Sequence, residues 1–252
     1  MHETVVVVGA TGAMGEVICQ RLLNSGMRVV GVARSAEALT ELAARLVTTT
    51  GAFVCCATDI AKDQAIEAIR AHLDGPVRAV VHGPGVPTAG GILGAPVDAL
   101  NEAVNIKMGG MVRLVRAVDA HLQARSRLIA IGGHYGFEPT AYAATAGVGN
   151  AALGNLIRQY SWAFGEREIT AHLLAPGPAD TERLRRVAQA RGEREGMSAD
   201  AVLEEMRQES AINQFTDIDS VAWAVEMLLA PEANSLAGST LFMDAGRRRG
   251  LP

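Results

Sequence analysis

The stretch VVVVGATGAMG, residues 5–15, decides how the rest of the chain is read. A run of valines is the composition of a buried strand. It gives way to a turn carrying Gly9, Gly12 and Gly15, and an apolar stripe at helical spacing follows: Met14, Val17, Ile18 and Leu22. Glycines in such a turn let the backbone bend sharply and approach a pyrophosphate. The helix that opens there offers free N–H groups and the positive end of its dipole to the anion. A glycine triplet alone is a weak signal, but one seated between a strand and a helix is a strong one. The candidate cofactor residues of this turn are Gly9, Thr11, Gly12, Met14 and Gly15.

Outward from this turn, short β-branched runs alternate with helix-length segments. Strands are expected at 4–8, 28–32, 53–56, 79–81, 128–131, 170–174 and 240–242. The alternation predicts an α/β fold, a Rossmann-type doubly wound parallel sheet in three layers, α/β/α. No repeat or linker divides the chain, so residues 1–252 are read as one domain. Two long helices are expected, at about 98–123 and 141–164. Their apolar stripes suit packing on the sheet and subunit contact, hence a homodimer or homotetramer. Residues 180–214 are polar and rich in Arg and Glu. They read as a lid-like excursion, or as a helical face that is simply solvated.

Bulk properties narrow the function. The chain has 252 residues and a net charge of −4, without the basic face of a nucleic-acid binder. Cys19, Cys55 and Cys56 show no metal-ligand spacing, and the adjacent pair reads as buried thiols, so no metal is expected. No signal-peptide layout and no apolar run of membrane-spanning length is present, which predicts a cytoplasmic protein acting on a small molecule.

The second strand runs into Ala33-Arg34-Ser35. An NAD site wants a carboxylate here for the ribose 2′-hydroxyl, whereas an arginine can pair with a 2′-phosphate. Arg34 therefore favours NADP(H) over NAD(H), the alternative being an exposed arginine that starts a loop. Asp59, beside Ile60 after the third strand, can accept from an adenine amino group or cap the next helix.

With these residues in place, the chain resembles the short-chain dehydrogenase/reductases over nearly its whole length. The resemblance rests on the glycine turn and Asp59, on His82-Gly83-Pro84-Gly85, and on Asn105 in Val104-Asn105-Ile106-Lys107-Met108-Gly109. It extends to Tyr142, to Pro176-Gly177-Pro178-Ala179-Asp180-Thr181, and to the closing run 236–246. It implies catalytic roles for Tyr142 and Asn105, and cofactor contacts at Gly83, Pro176, Gly177 and Thr181.

Three departures stand out. Gly12 lies one place earlier than in the common pattern, a spacing similar to that of the extended and atypical branches. Gly133 stands where the family has its substrate-binding serine. Ala146 stands where Tyr-x-x-x-Lys would put the lysine, one helical turn past Tyr142. In the family the tyrosine exchanges a proton with the substrate oxygen while the nicotinamide exchanges a hydride. Without the lysine, alcohol oxidation, which needs a base, suffers most. Carbonyl reduction needs only a donor, so a reductase is expected. His134 and His82, at strand ends, and Tyr135, beside His134, are further candidates for the proton path. His134 with Tyr142 leaves a non-redox lyase, isomerase or hydrolase open, and the double loss leaves an NADP(H)-sensing binding protein open. Lys107, two residues from Asn105, reads as solvated.

Overall fold

The computed structural model describes residues 3–47, 50–88 and 90–250. Seven strands form one parallel sheet: β1 (Thr4–Val8), β2 (Arg28–Ala33), β3 (Ala52–Ala57), β4 (Val77–His82), β5 (Leu122–Ile131), β6 (Thr170–Pro176) and β7 (Thr240–Met243). Their spatial order is β3-β2-β1-β4-β5-β6-β7. All neighbours run parallel. The order reverses between β1 and β4, so the crevice beyond their carboxyl ends is a topological switch point.

The valine run explains why this sheet takes helices on both faces. Side chains alternate along a strand. Val6 and Val8 of β1 join Val30, Val32 and Val80 in one core. That core is closed by Met111 and Leu114 of α5 (Gly110–Val118) and by Leu153 and Ile157 of α6 (Ala144–Ala163). Val5 and Val7 face the other way, with Val29, Ala79 and Val81. There Ile18 and Leu22 of α1 (Ala13–Asn24), Leu39 and Leu42 of α2 (Ala36–Arg45), and Val221 and Val225 of α9 (Ile218–Met227) complete the second core. Cys56 is buried, but Cys55 on the edge strand β3 is exposed, so the expected pair of buried thiols holds for one member only.

The segment expected as one helix at 98–123 is broken. It consists of α4 (Val97–Val104), a π-helical turn at Asn105–Gly109, α5, and a short 3-10 turn, after which β5 begins at Leu122. Between β6 and β7, α7 (Glu182–Glu195) and α8 (Ala199–Gln208) pair around a small core of Leu184, Ala188, Val202 and Met206. The remaining helix, α3 (Gln64–Arg70), packs between β3 and β4 in sequence.

Arg127 of β5 is fully buried and, among the described residues, forms no ion pair with a carboxylate. Its guanidinium donates to the Leu228 carbonyl at 2.7 Å, to Thr170 Oγ1 at 2.9 Å and to the Ala230 carbonyl at 3.0 Å. Those three acceptors offset its lost hydration.

Candidate active site

A cleft of about 1010 Å³ opens at the carboxyl ends of β1 and β4. On one wall the loop after β1 is built from backbone. Gly9 has φ +87° and donates to the Val32 carbonyl at 2.9 Å; a Cβ on it would lie 3.1 Å from Gly83 and Pro84 backbone. A Cβ on Gly15 would fall 2.1 Å from the Gly9 carbonyl oxygen, so only glycine lets α1 start so close to the loop. Gly12 caps α1 without any side-chain bond, which leaves the first N–H groups of the helix facing an open position.

Arg34 and Asp59 flank the far end of this wall. Ser35 caps α2 by accepting from Ala38 N, so Arg34 is not needed for that turn. Asp59 accepts from Ala61 N at 3.0 Å, an acceptor turn ahead of α3 that leaves carboxyl oxygen free to serve the cleft.

Of the expected cofactor residues, Gly9, Thr11, Gly12, Arg34, Asp59, Ile60 and Gly83 line the cleft, and Tyr142 joins them from across it. The others do not. Met14 packs into the second core, and Gly15 is spent on helix packing. Pro176 is buried at the end of β6, and the Gly177 N–H donates to the Met243 carbonyl. Thr181 is the N-cap of α7, its hydroxyl accepting from Leu184 N.

The catalytic candidates separate in the same way. Tyr142 precedes α6 instead of lying on it, and its hydroxyl shares a 2.8 Å hydrogen bond with the Tyr135 hydroxyl. Burial pushes the Tyr135 phenol well above its ordinary range. Since Tyr142 lies off the helix, Tyr142 and Ala146 are not a one-turn pair on a shared face. The α6 residue that meets Gly133 is Asn150: a Cβ on Gly133 would be 2.8 Å from its Nδ2. Asn150 is buried, and its Oδ1 has no partner among the described residues. A serine at 133 would have to displace that amide.

Asn105 faces away from the cleft, donating to the Ala61 carbonyl and accepting from Arg113, while its neighbours Glu102 and Ile106 line the wall. His134, expected beside Tyr142, is buried away from the cleft and bonds the Pro176 backbone. Burial, then the Arg247 charge, lowers its pKa to about 4. His82 is likewise fully buried, its Nε2 3.1 Å from the Ile106 carbonyl, and burial lowers its pKa to about 3. Both rings are therefore neutral at pH 7, and neither is among the described residues that line the cleft.

Lys107 reverses its expectation: it is buried, and its Nζ donates to the Ile131 carbonyl at 2.8 Å. The π turn adds a residue per turn and swings this side chain inward. Gly149 of α6 packs over it: a Cβ there would lie 3.2 Å from the Ala103 carbonyl oxygen and 3.4 Å from Lys107 Cγ. Burial, then the Arg183 charge, lowers its pKa to about 7.

Sequence reading missed the opposite wall. There α7 contributes Arg183, Arg186, Val187, Ala190, Arg191 and Arg194. Their three- and four-residue spacing was visible, but only the fold shows which way that face points. Arg191 lies over the Tyr142 ring, 5.7 Å from its centroid, and Arg183 donates to the Val86 carbonyl.

A parallel sheet in this order, with a glycine turn at its switch point and a tyrosine across the crevice, defines a dinucleotide-fold oxidoreductase. Residues 9–248 match the family model described as enoyl-(acyl carrier protein) reductase, and the chain belongs to that family, within the short-chain dehydrogenase/reductases. It is 27% identical to the short-chain reductase protein NovJ of Streptomyces niveus, over 98% of this chain and 94% of that one. It is 24% identical to the 3-oxoacyl-(acyl-carrier-protein) reductase FabG of Salmonella typhimurium, over 96% and 95%. Among solved structures, L-sorbose reductase from Gluconobacter frateurii, complexed with NADPH and L-sorbose, superposes with a TM-score of 0.89 at 21% identity, covering 99% of this chain and 98% of that one. Among the described residues no helix is long and apolar enough to cross a membrane.

Proposed function

We propose that this protein is an NADPH-dependent reductase that converts a carbonyl to an alcohol, with Tyr142 as proton donor. The observation that carries this is the composition of the cleft wall. Tyr142 is its only phenol among the described residues. The other charged groups on the wall are arginines and the carboxyl groups of Asp59 and Glu102, which suit binding and accepting instead.

The cleft fits the cofactor. The open N-terminus of α1 suits a pyrophosphate, Asp59 an adenine amino group, and Arg34 with Ala33 a ribose 2′-phosphate in place of a 2′-hydroxyl. The L-sorbose reductase neighbour holding NADPH supports the same choice. When bound, the nicotinamide supplies the hydride. Tyr142 orients the substrate oxygen and protonates it, and Tyr135, hydrogen-bonded behind it, fixes the phenol's direction. Residues 180–214 act as the lid over that site. The chain works as a homodimer or homotetramer through the two long helical segments, whose Met108, Val148 and Trp162 are exposed.

The test is Tyr142→Phe, assayed as NADPH oxidation with a panel of 2- and 3-oxo acids and their esters. Turnover should fall about 100-fold or more, while the NADPH dissociation constant stays within a factor of about two. A Phe variant that turns over at the parental rate overturns the assignment.

A further inference from the structure

The α7 face that covers the cleft carries more positive charge than the chain's composition leads one to expect. The protein as a whole is acidic, yet five arginines line this cleft against two carboxylates, Asp59 and Glu102. Four of the five belong to α7. Their orientation is fixed, because Leu184, Ala188 and Gly192 on the other side of the helix are buried against the loop before α8 and against α8 itself. Rolling the arginines outward would expose that small core.

Pairing separates the structural arginines from the others. Arg185, pointing away from the cleft, pairs with Asp180. Arg191 is held by Glu195 and Glu205. Arg183 gives a hydrogen bond to a carbonyl and meets no carboxylate; burial of its head group, then the Arg186 charge, lowers its pKa. Arg186 and Arg194 have no hydrogen-bond or ion-pair partner among the described residues. Arg186 and Arg194 stand about two helical turns apart on the cleft stripe of α7, and guanidiniums without a protein partner there are free to give fork-like hydrogen bonds to an anion. On the reductase reading, the glycine turn and Arg34 serve the dinucleotide's charges on the other wall, while α7 meets Tyr142 through Arg191, 5.7 Å from its ring centroid.

We infer that Arg186 and Arg194 bind an oxyanion carried by the substrate, a carboxylate or a phosphate, so that the natural substrate is an acidic carbonyl compound. This rests on the reductase reading given above for the reaction, but the anion site can be tested apart from it.

The first arm is binding. Protein saturated with NADP⁺ is titrated calorimetrically with succinate and with inorganic phosphate. The wild type should bind at least one of them, and the double variant Arg186→Gln/Arg194→Gln should bind it about tenfold or more weakly. Arg185→Gln, on the solvent side of the same helix, should bind as the wild type does. The second arm compares oxo acids with their methyl esters as substrates. The acid-over-ester ratio in kcat/KM should exceed ten in the wild type and fall about tenfold or more in the double variant.

If wild-type protein binds neither anion, or if Arg185→Gln weakens binding as much as the double variant, the inference is wrong. If the double variant instead loses NADPH affinity and keeps its anion binding, the arginines serve the cofactor's phosphates, and the inference is also wrong. Anion binding that depends on Arg186 and Arg194 without any turnover upholds the site and removes the reductase reading.

Discussion

The two walls of the cleft are specified by different means. The β1–α1 wall is made of backbone: glycines at 9, 12 and 15, of which Gly9 and Gly15 are fixed by the space around them, and a helix end with no side-chain cap. The α7 wall is made of side chains, and its backbone is an ordinary amphipathic helix leaning on its own small core. A wall of backbone presents one shape and one kind of group, the N–H, and suits a ligand part that never varies. A wall of long arginines can be rewritten by substitution without changing the fold, which suits the part of the reaction that differs between relatives.

The sharpest way to break this contrast is at Gly15. Replacing it with Val puts a branched side chain where even a Cβ has 2.1 Å to the Gly9 oxygen. The variant should lose dinucleotide binding altogether, measured by calorimetry, and about 2–3 kcal/mol of stability, measured by urea unfolding. A stable variant that binds NADPH normally would show that the wall tolerates side chains.

Lys107, beneath the site, gives the next largest effect. Its folded-state pKa of about 7 lies below the unfolded value near 10.5. Between those values the unfolded chain holds a proton that the folded chain does not, so stability should rise with pH by roughly 1 kcal/mol per unit and level off below pH 7. Lys107→Met should lack that slope, so the wild type's stability should rise relative to the variant's as pH increases from 7 to 9. Parallel curves from pH 7 to 9 would mean that the ammonium is hydrated in the folded state.

The smallest effect is expected at Arg34. Arg34→Ala should weaken NADPH binding about 10- to 100-fold and leave NADH binding nearly unchanged. Equal losses for both would mean that Arg34 does not read the 2′-phosphate.

How far the sequence could be read follows the same division. The glycine turn and the positions of the strands were legible because local sterics and residue patterning dictate them: a valine run flanked by tightly spaced glycines has few other uses. Lys107 was misread because regular 3.6-residue spacing was assumed, and the π turn at Asn105–Gly109 shifts every later side chain around the axis. Tyr142 was expected on a helix that begins only at Ala144, so the one-turn spacing to Ala146 had no geometric meaning and Asn150 went unnoticed. His134 sits at the end of β5, where the sequence says which strand a residue follows but not whether it turns toward the cleft or under it. The arginines of α7 were seen as residues and could not be assigned a side, because only docking on the sheet decides which stripe of a polar helix meets solvent.

Arg127 has a consequence for how the protein comes into being. It occupies the middle of β5, yet two of its three acceptors are the carbonyls of Leu228 and Ala230, about a hundred residues further along. During synthesis the centre of the sheet is laid down long before the groups that satisfy this charge have left the ribosome. The nascent chain therefore holds a guanidinium that cannot be buried until α9 emerges and docks, and β5 stays open to solvent or to a chaperone until then. The final closing of the sheet is in this way tied to the completion of the chain, and a product released before residue 230 carries an unsatisfied cation at its core.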